Sequence, residues 1–203
     1  MYVNILLTIG FAATSPTPAP ATPDCACATA RVDNGWCAAC KVGYVAGFRI
    51  PSHALFEALD AHGHDINPAS IKCESCKKAL ETDGFCEKCR MGFLRGKAYV
   101  SRLNYHLAHG KIRSRADIKC SACKANAAKY GWCDVCKVGM VGHVALADKR
   151  HYEPAAREAE ILVRAIALAE KCELCAAAMV LDGKCPRCKI EYKDGKAAAK
   201  KSP

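Results

Sequence analysis

Sixteen cysteines divide into four groups of four: Cys25, Cys27, Cys37 and Cys40; Cys73, Cys76, Cys86 and Cys89; Cys120, Cys123, Cys133 and Cys136; Cys172, Cys175, Cys185 and Cys188. The last three share one spacing, two C-x2-C pairs with nine residues between them. A C-x2-C pair puts two thiolates on one tight turn, where both reach a single ion at about 2.3 Å, and a second pair completes a tetrahedral shell of four sulfurs. A shell filled this way suits a structural ion, whereas a catalytic ion keeps a position open for water. The first group departs from the pattern. Cys25-Ala26-Cys27 is C-x-C and cannot form the same turn, so its site is strained, differently ligated or empty.

The surroundings repeat with the cysteines. Gly35-Trp36-Cys37, Gly84-Phe85-Cys86, Gly131-Trp132-Cys133 and Gly183-Lys184-Cys185 place a glycine two residues before each third cysteine, where a positive φ in a tight turn is expected. After each fourth cysteine come Lys41-Val42-Gly43-Tyr44, Arg90-Met91-Gly92-Phe93, Lys137-Val138-Gly139-Met140 and Lys189-Ile190-Glu191-Tyr192. One small unit therefore recurs with a period of about fifty residues, and such a repeat governs any reading of the fold.

These motifs resemble the short zinc-ribbon family, in which two C-x2-C knuckles lie roughly ten residues apart, often with a G-x-C turn before the second. The resemblance covers each cysteine module and not the linkers. It implies zinc ligation by the twelve cysteines of the last three groups, and up to four zinc ions if the first group also binds. Units this small have marginal cores, so a metal that couples binding to folding is the expected staple.

The elements that must position the cysteines follow from the linkers. Alternating segments at Tyr44 to Ile50, Phe93 to Val100 and Met140 to Leu146, with Gly47, Gly96 and Gly142 as turn residues, read as short hairpins. Ser52 caps a helix carrying Leu55, Phe56 and Leu59, and Ser101 one carrying Leu103 and Leu107. Pro154 suits the first turn of a third, longer helix that carries Ile161, Leu162, Ala165, Ile166 and Leu168 and ends at Glu170. The expected class is α+β, with tandem zinc-ribbon-like modules joined by helices. Residues 1–24 read as a leader and Pro/Ala/Thr-rich linker, followed by modules at 25–71, 72–118, 119–170 and 171–203, the last with a basic tail.

The formal charge of +10 invites a phosphate-binding reading. Thiolates change it: a four-cysteine site with one zinc carries a net charge of minus two, and four such sites leave about +2. Lys72, Lys119 and Lys171 precede the first cysteines and Lys41, Arg90, Lys137 and Lys189 follow the fourth, where cations favour thiolates. Nucleic acid is thus a possible but disfavoured partner, and a protein partner is expected. Trp36, Phe85 and Trp132 read as module packing.

Residues 3–13 form an uncharged, mostly apolar run, and Ala19-Pro20-Ala21 follows as a small-residue cleavage motif, which suggests export to a periplasmic or extracellular space. The run is short for a membrane span. Export opens a rival in which the cysteines become disulfides, although repeated inner spacing favours metal. Iron also accepts four sulfurs. An exchangeable, metal-handling protein is a further alternative. No nucleophile elbow, phosphate loop or H-E-x-x-H motif is present, so no enzyme is expected. His62 and His64, or His106 and His109 at i, i+3, could share an ion; the alternative is that histidine complements a helix end beside Gly63 and Gly110. His53, His143 and His151 show no partner in the sequence.

Overall fold

The computed structural model describes residues 26–113, 115–127 and 130–198. It has the expected α+β class, built from one repeated pattern. Module one contains α1 (Cys27–Val32), β1 (Trp36–Cys37), β2 (Val42–Val45), β3 (Phe48–Ile50) and α2 (His53–Leu59). Module two contains α3 (Glu74–Glu81), β5 (Phe85–Cys86), β6 (Met91–Leu94), β7 (Lys97–Tyr99) and α4 (Arg102–Leu107), and its sheet also takes in β4 (His64–Asp65), which precedes the expected boundary at residue 72 but pairs with β7. Module three has α5 (Ser121–Ala127), β9 (Trp132–Cys133), β10 (Val138–Val141), β11 (Val144–Leu146) and α6 (Lys149–Ala169), and likewise takes β8 (Lys111–Ile112), which precedes residue 119 but pairs with β11. Module four has α7 (Glu173–Val180), β12 (Tyr192–Lys193) and β13 (Lys196–Ala197). The sheets are antiparallel, ordered β1-β2-β3, β4-β7-β6-β5, β8-β11-β10-β9 and β12-β13.

The hairpin turns lie where the glycines suggest. Ala46-Gly47, Arg95-Gly96 and Asp194-Gly195 each have positive φ at both residues, the twist that matches paired strands. The glycine before each third cysteine behaves differently from expectation. Positive φ falls one residue earlier, at Asn34, Asp83, Tyr130 and Asp182. Gly35, Gly84, Gly131 and Gly183 then donate their N–H to Ala30, Ala79, Asn126 and Ala178, at 2.7, 2.7, 2.9 and 2.8 Å. This is the 6→1 bond of a Schellman helix end. These glycines terminate a helix that the linker-based reading did not place: in every module a short helix starts at or beside the first cysteines and runs into the interval between the pairs.

The glycine after each fourth cysteine has a separate role. A β-carbon on Gly43, Gly92 or Gly139 would lie 2.3, 2.3 or 1.9 Å from the ring of Phe56, Tyr105 or Tyr152. Each of these rings comes from the fourth residue of the following helix, and each also packs on Trp36, Phe85 or Trp132, at 5.6, 5.4 and 5.3 Å between centroids. The aromatic residues thus act in packing, as their repetition suggests. Ser52 and Ser101 accept the Leu55 and Asn104 N–H and cap their helices as expected. The third helix starts earlier than Pro154, because Asp148 occupies the equivalent cap and accepts the Arg150 N–H at 2.8 Å. That start puts Tyr152 at the register needed to fill Gly139.

Burial has two tiers. Each module has a small core around two of its cysteines, such as Cys76, Cys86 and Phe93, or Cys123, Cys133 and Met140. A larger core joins residues of all four modules, including Ile50, Leu55, Leu103, Val141, Leu162 and Ala176. Polar contacts reinforce it. Buried Asn104 donates to the Leu59 carbonyl at 2.5 Å, Ser52 donates to Glu173 at 3.1 Å, and Arg90 pairs with Asp182. The helices therefore pack on distant modules as well as their own, and α2 of module one lies against α7 of module four.

Candidate metal centres

The helix between the cysteine pairs decides how the sulfurs are presented. Cys73 and Cys172 are the N-caps of α3 and α7, and Cys76 and Cys175 lie one turn in. Cys120 and Cys123 hold the same places at the start of α5, whose Lys124 N–H bonds to the Cys120 carbonyl. The first C-x2-C of modules two, three and four is thus a helical turn. The second pair sits on a tight turn, between two strands in modules one to three and within the single Lys184–Glu191 bridge in module four. There the Cys89, Cys136 and Cys188 N–H groups point at the sulfurs of Cys86, Cys133 and Cys185, at 3.4, 3.5 and 3.3 Å.

Helix start and strand turn converge. The sulfurs of Cys73, Cys76, Cys86 and Cys89 all lie within 4.8 Å of one another, and so do those of the third and fourth groups. Two sulfur separations are 3.9 Å, Cys120 to Cys133, and 3.7 Å, Cys188 to Cys172. A tetrahedral ion with ~2.3 Å bonds sets sulfurs roughly 3.8 Å apart, so the donor set fits a four-sulfur shell. In module one, Cys27, Cys37 and Cys40 form a three-sulfur group of the same compactness. Cys25 lies outside the described residues, as does the apolar run at 3–13.

The thiols of one group are chemically unequal. The Cys76 N–H, with the Cys89 thiol, holds Cys73 down to about 6. The Cys123 N–H likewise brings Cys120 down to about 7. Burial pushes Cys76 and Cys123 up, and pushes Cys175 up to about 12. Burial also opposes ionisation of Cys185, yet the Cys188 N–H and the Cys175 thiol bring it down to about 7. One thiolate is therefore available near neutrality as a first ligand, at the helix start in modules two and three and on the second pair in module four, and metal charge would draw the proton from a buried neighbour. Cys40, Cys89, Cys136 and Cys188 are the exposed members.

Comparison of the chain with protein-family models, with curated proteins and with solved structures gives no match. The repeated cysteine groups themselves remain the decisive feature: they are able to hold metal ions.

Other residues singled out by sequence are distributed unevenly. Lys41, Arg90, Lys137 and Lys189 all have positive φ, from 50° to 59°, so the residue after each fourth cysteine closes the strand turn. Arg90 turns away to Asp182 of module four, an inter-module use that the adjacency argument missed. His64 contacts Asp60 at 3.1 Å. His109 does not serve as a simple helix-end cation: its ring stacks on His151 at 3.6 Å, and His106 meets the same ring. No local spacing signal could have brought His151 to that cluster, since it comes from the next module. Among the described residues, no helix is long and apolar enough to cross a membrane.

Proposed function

We propose that this chain is a zinc-stabilised tandem-repeat scaffold that binds a protein partner and carries no catalytic activity of its own. The supporting observation is the convergence of three four-sulfur groups, each joining the start of a helix to a strand turn beside the module core. Cys73, Cys76, Cys86 and Cys89 would hold one ion; Cys120, Cys123, Cys133 and Cys136 a second; Cys172, Cys175, Cys185 and Cys188 a third. Cys27, Cys37 and Cys40, with Cys25, would form the fourth. Zinc in such shells is structural, tying local elements that lack enough apolar area to hold together. Zinc is preferred to iron as a redox-inert structural ion.

The shared core supports a scaffold role, because four metal-bound corners fixed to one interior present surface residues in a set geometry. Export through the N-terminal segment belongs to the same reading and is tested by fractionating cells that express the full chain. Metal analysis with a thiol count, on protein taken from its natural compartment, tests the centres. Three or four zinc ions per chain and reduced cysteines are expected; metal-free protein with paired cysteines would replace the reading with a disulfide scaffold.

A second reading rests on the exposed fourth cysteine of each group. An incoming thiol or chelator can reach that ligand first, which suits a metal-handling protein with exchangeable sites. Rapid zinc transfer to a colour-forming chelator under native conditions would favour it over the scaffold. Nucleic-acid binding would show as affinity that falls steeply with salt.

A further inference from the structure

We propose that His106 and His151 form a second class of metal site, one that takes a divalent transition ion through imidazole nitrogen. His106 lies on α4 of module two and His151 on α6 of module three, 45 residues apart in sequence. Their Nδ1 atoms face each other at 3.2 Å. Two imidazoles that share a tetrahedral ion at ~2.0–2.1 Å place their nitrogens roughly 3.3 Å apart, so the pair already has the required bite. The rings are tilted by 52°, and without an ion the two nitrogens share one proton in a hydrogen bond, which an incoming ion would replace.

His109 supports the pair. Its ring stacks on His151 with 12° between planes and fixes the orientation of that imidazole. The His109 Nε2 is buried without a hydrogen-bond partner, but it is not close enough to the other two to make a compact three-donor group, so the pair supplies the ligands.

Protonation does not compete for these nitrogens near neutrality. Burial takes His106 down to about 3 and His109 to about 4, and it lowers His151 as well. The charged groups that face the cluster are Arg102 from α4, Arg95 from the β6–β7 turn, Asp83 from the end of α3, and Asp148 and Arg150 from the start of α6. The arginines act against an imidazolium, while the two carboxylates offset part of the positive charge of a bound ion. Neutral imidazole is the ligand form. Nitrogen donors suit zinc, copper(II), nickel or cobalt, in contrast to the softer sulfur shells. An ion here would clamp module two to module three at the crossing of α4 and α6, independently of the cysteine centres.

The test uses the full chain with its cysteine-bound metal already determined, titrated with zinc chloride. Calorimetry is expected to report one additional zinc, and histidine nitrogen NMR to show Nδ1 of His106 and His151 shifting together as it binds. His151→Gln should weaken that event by roughly 100-fold or more and leave the cysteine-held ions in place. His53→Gln, an exposed position outside the cluster, should leave it unchanged. Absence of extra uptake with stationary Nδ1 signals in the wild-type chain overturns the site, and so does unchanged uptake in His151→Gln. If His151→Gln fails to fold, the wild-type NMR decides alone.

Discussion

A β-carbon added to Gly142 would lie 2.0 Å from the carbonyl oxygen of Ala46, the same oxygen that accepts the His143 N–H at 2.8 Å. The hairpin turn of module three is docked directly on that of module one. Gly142→Ala should therefore cost about 2 kcal/mol or more, combining a positive φ of 57° with the lost docking. Gly96→Ala is the comparison, since Gly96 shares the positive φ but has open space around it, and about 1 kcal/mol is expected there. Urea unfolding of the metal-loaded variants gives both values; equal losses would refute the docking argument.

Tyr152 and Tyr105 donate to the carbonyls of Tyr130 and Asp83, at 2.7 and 2.9 Å. Both acceptors are the left-handed residues that end the module helix. Tyr152→Phe should lose about 1 kcal/mol by removing one hydrogen bond, and Tyr152→Ala about 3–5 kcal/mol by emptying the seat over Gly139. A Phe variant as damaging as the Ala variant would show that the hydroxyl, rather than the ring, dominates.

The histidine cluster makes stability depend on acid. Burial lowers His106 to about 3 and His109 to about 4 from an ordinary value near 6.5. Below about pH 6.5 the unfolded chain binds more protons than the folded one, so stability falls on acidification until the folded values are reached. Above 6.5 this contribution is complete. In metal-free buffer, His106→Gln should flatten the stability profile between about pH 6.5 and 3 relative to wild type. Parallel wild-type and variant profiles over that range would contradict the burial argument.

Metal removal should act first on the module cores. Trp36 and Trp132 adjoin buried Cys37 and Cys133, so chelation is expected to change tryptophan emission and reduce the ordered signal in circular dichroism. Cys86→Ser should lower bound metal by about one ion per chain and loosen module two in particular. Spectra unchanged after full metal loss would mean that the shared core alone sustains the modules.

Much of the local design is legible in the chain. The hairpin turns at Gly47, Gly96 and Gly142, the caps at Ser52 and Ser101, and the grouping of the cysteines follow from spacing and turn chemistry. The helices between cysteine pairs were harder to read. In α3 and α5 the apolar stripe is short and largely made of alanine and cysteine, so it resembles a loop until Schellman geometry and sulfur convergence are in place. The early start of α6 is similar: Pro154 looks like a first-turn residue, but the repeat demands Asp148 as cap and Tyr152 as ring.

The amino-acid order alone determined the repeat, the α+β class and which cysteines share a group, because turns, caps and C-x2-C spacings act over a few residues. Only the tertiary structure decided that Ala46 meets Gly142, that Arg90 pairs with Asp182, and that His151 joins His106 and His109. These contacts link modules through a common apolar interior. Their geometry depends on how the helices pack around it, which no local spacing encodes.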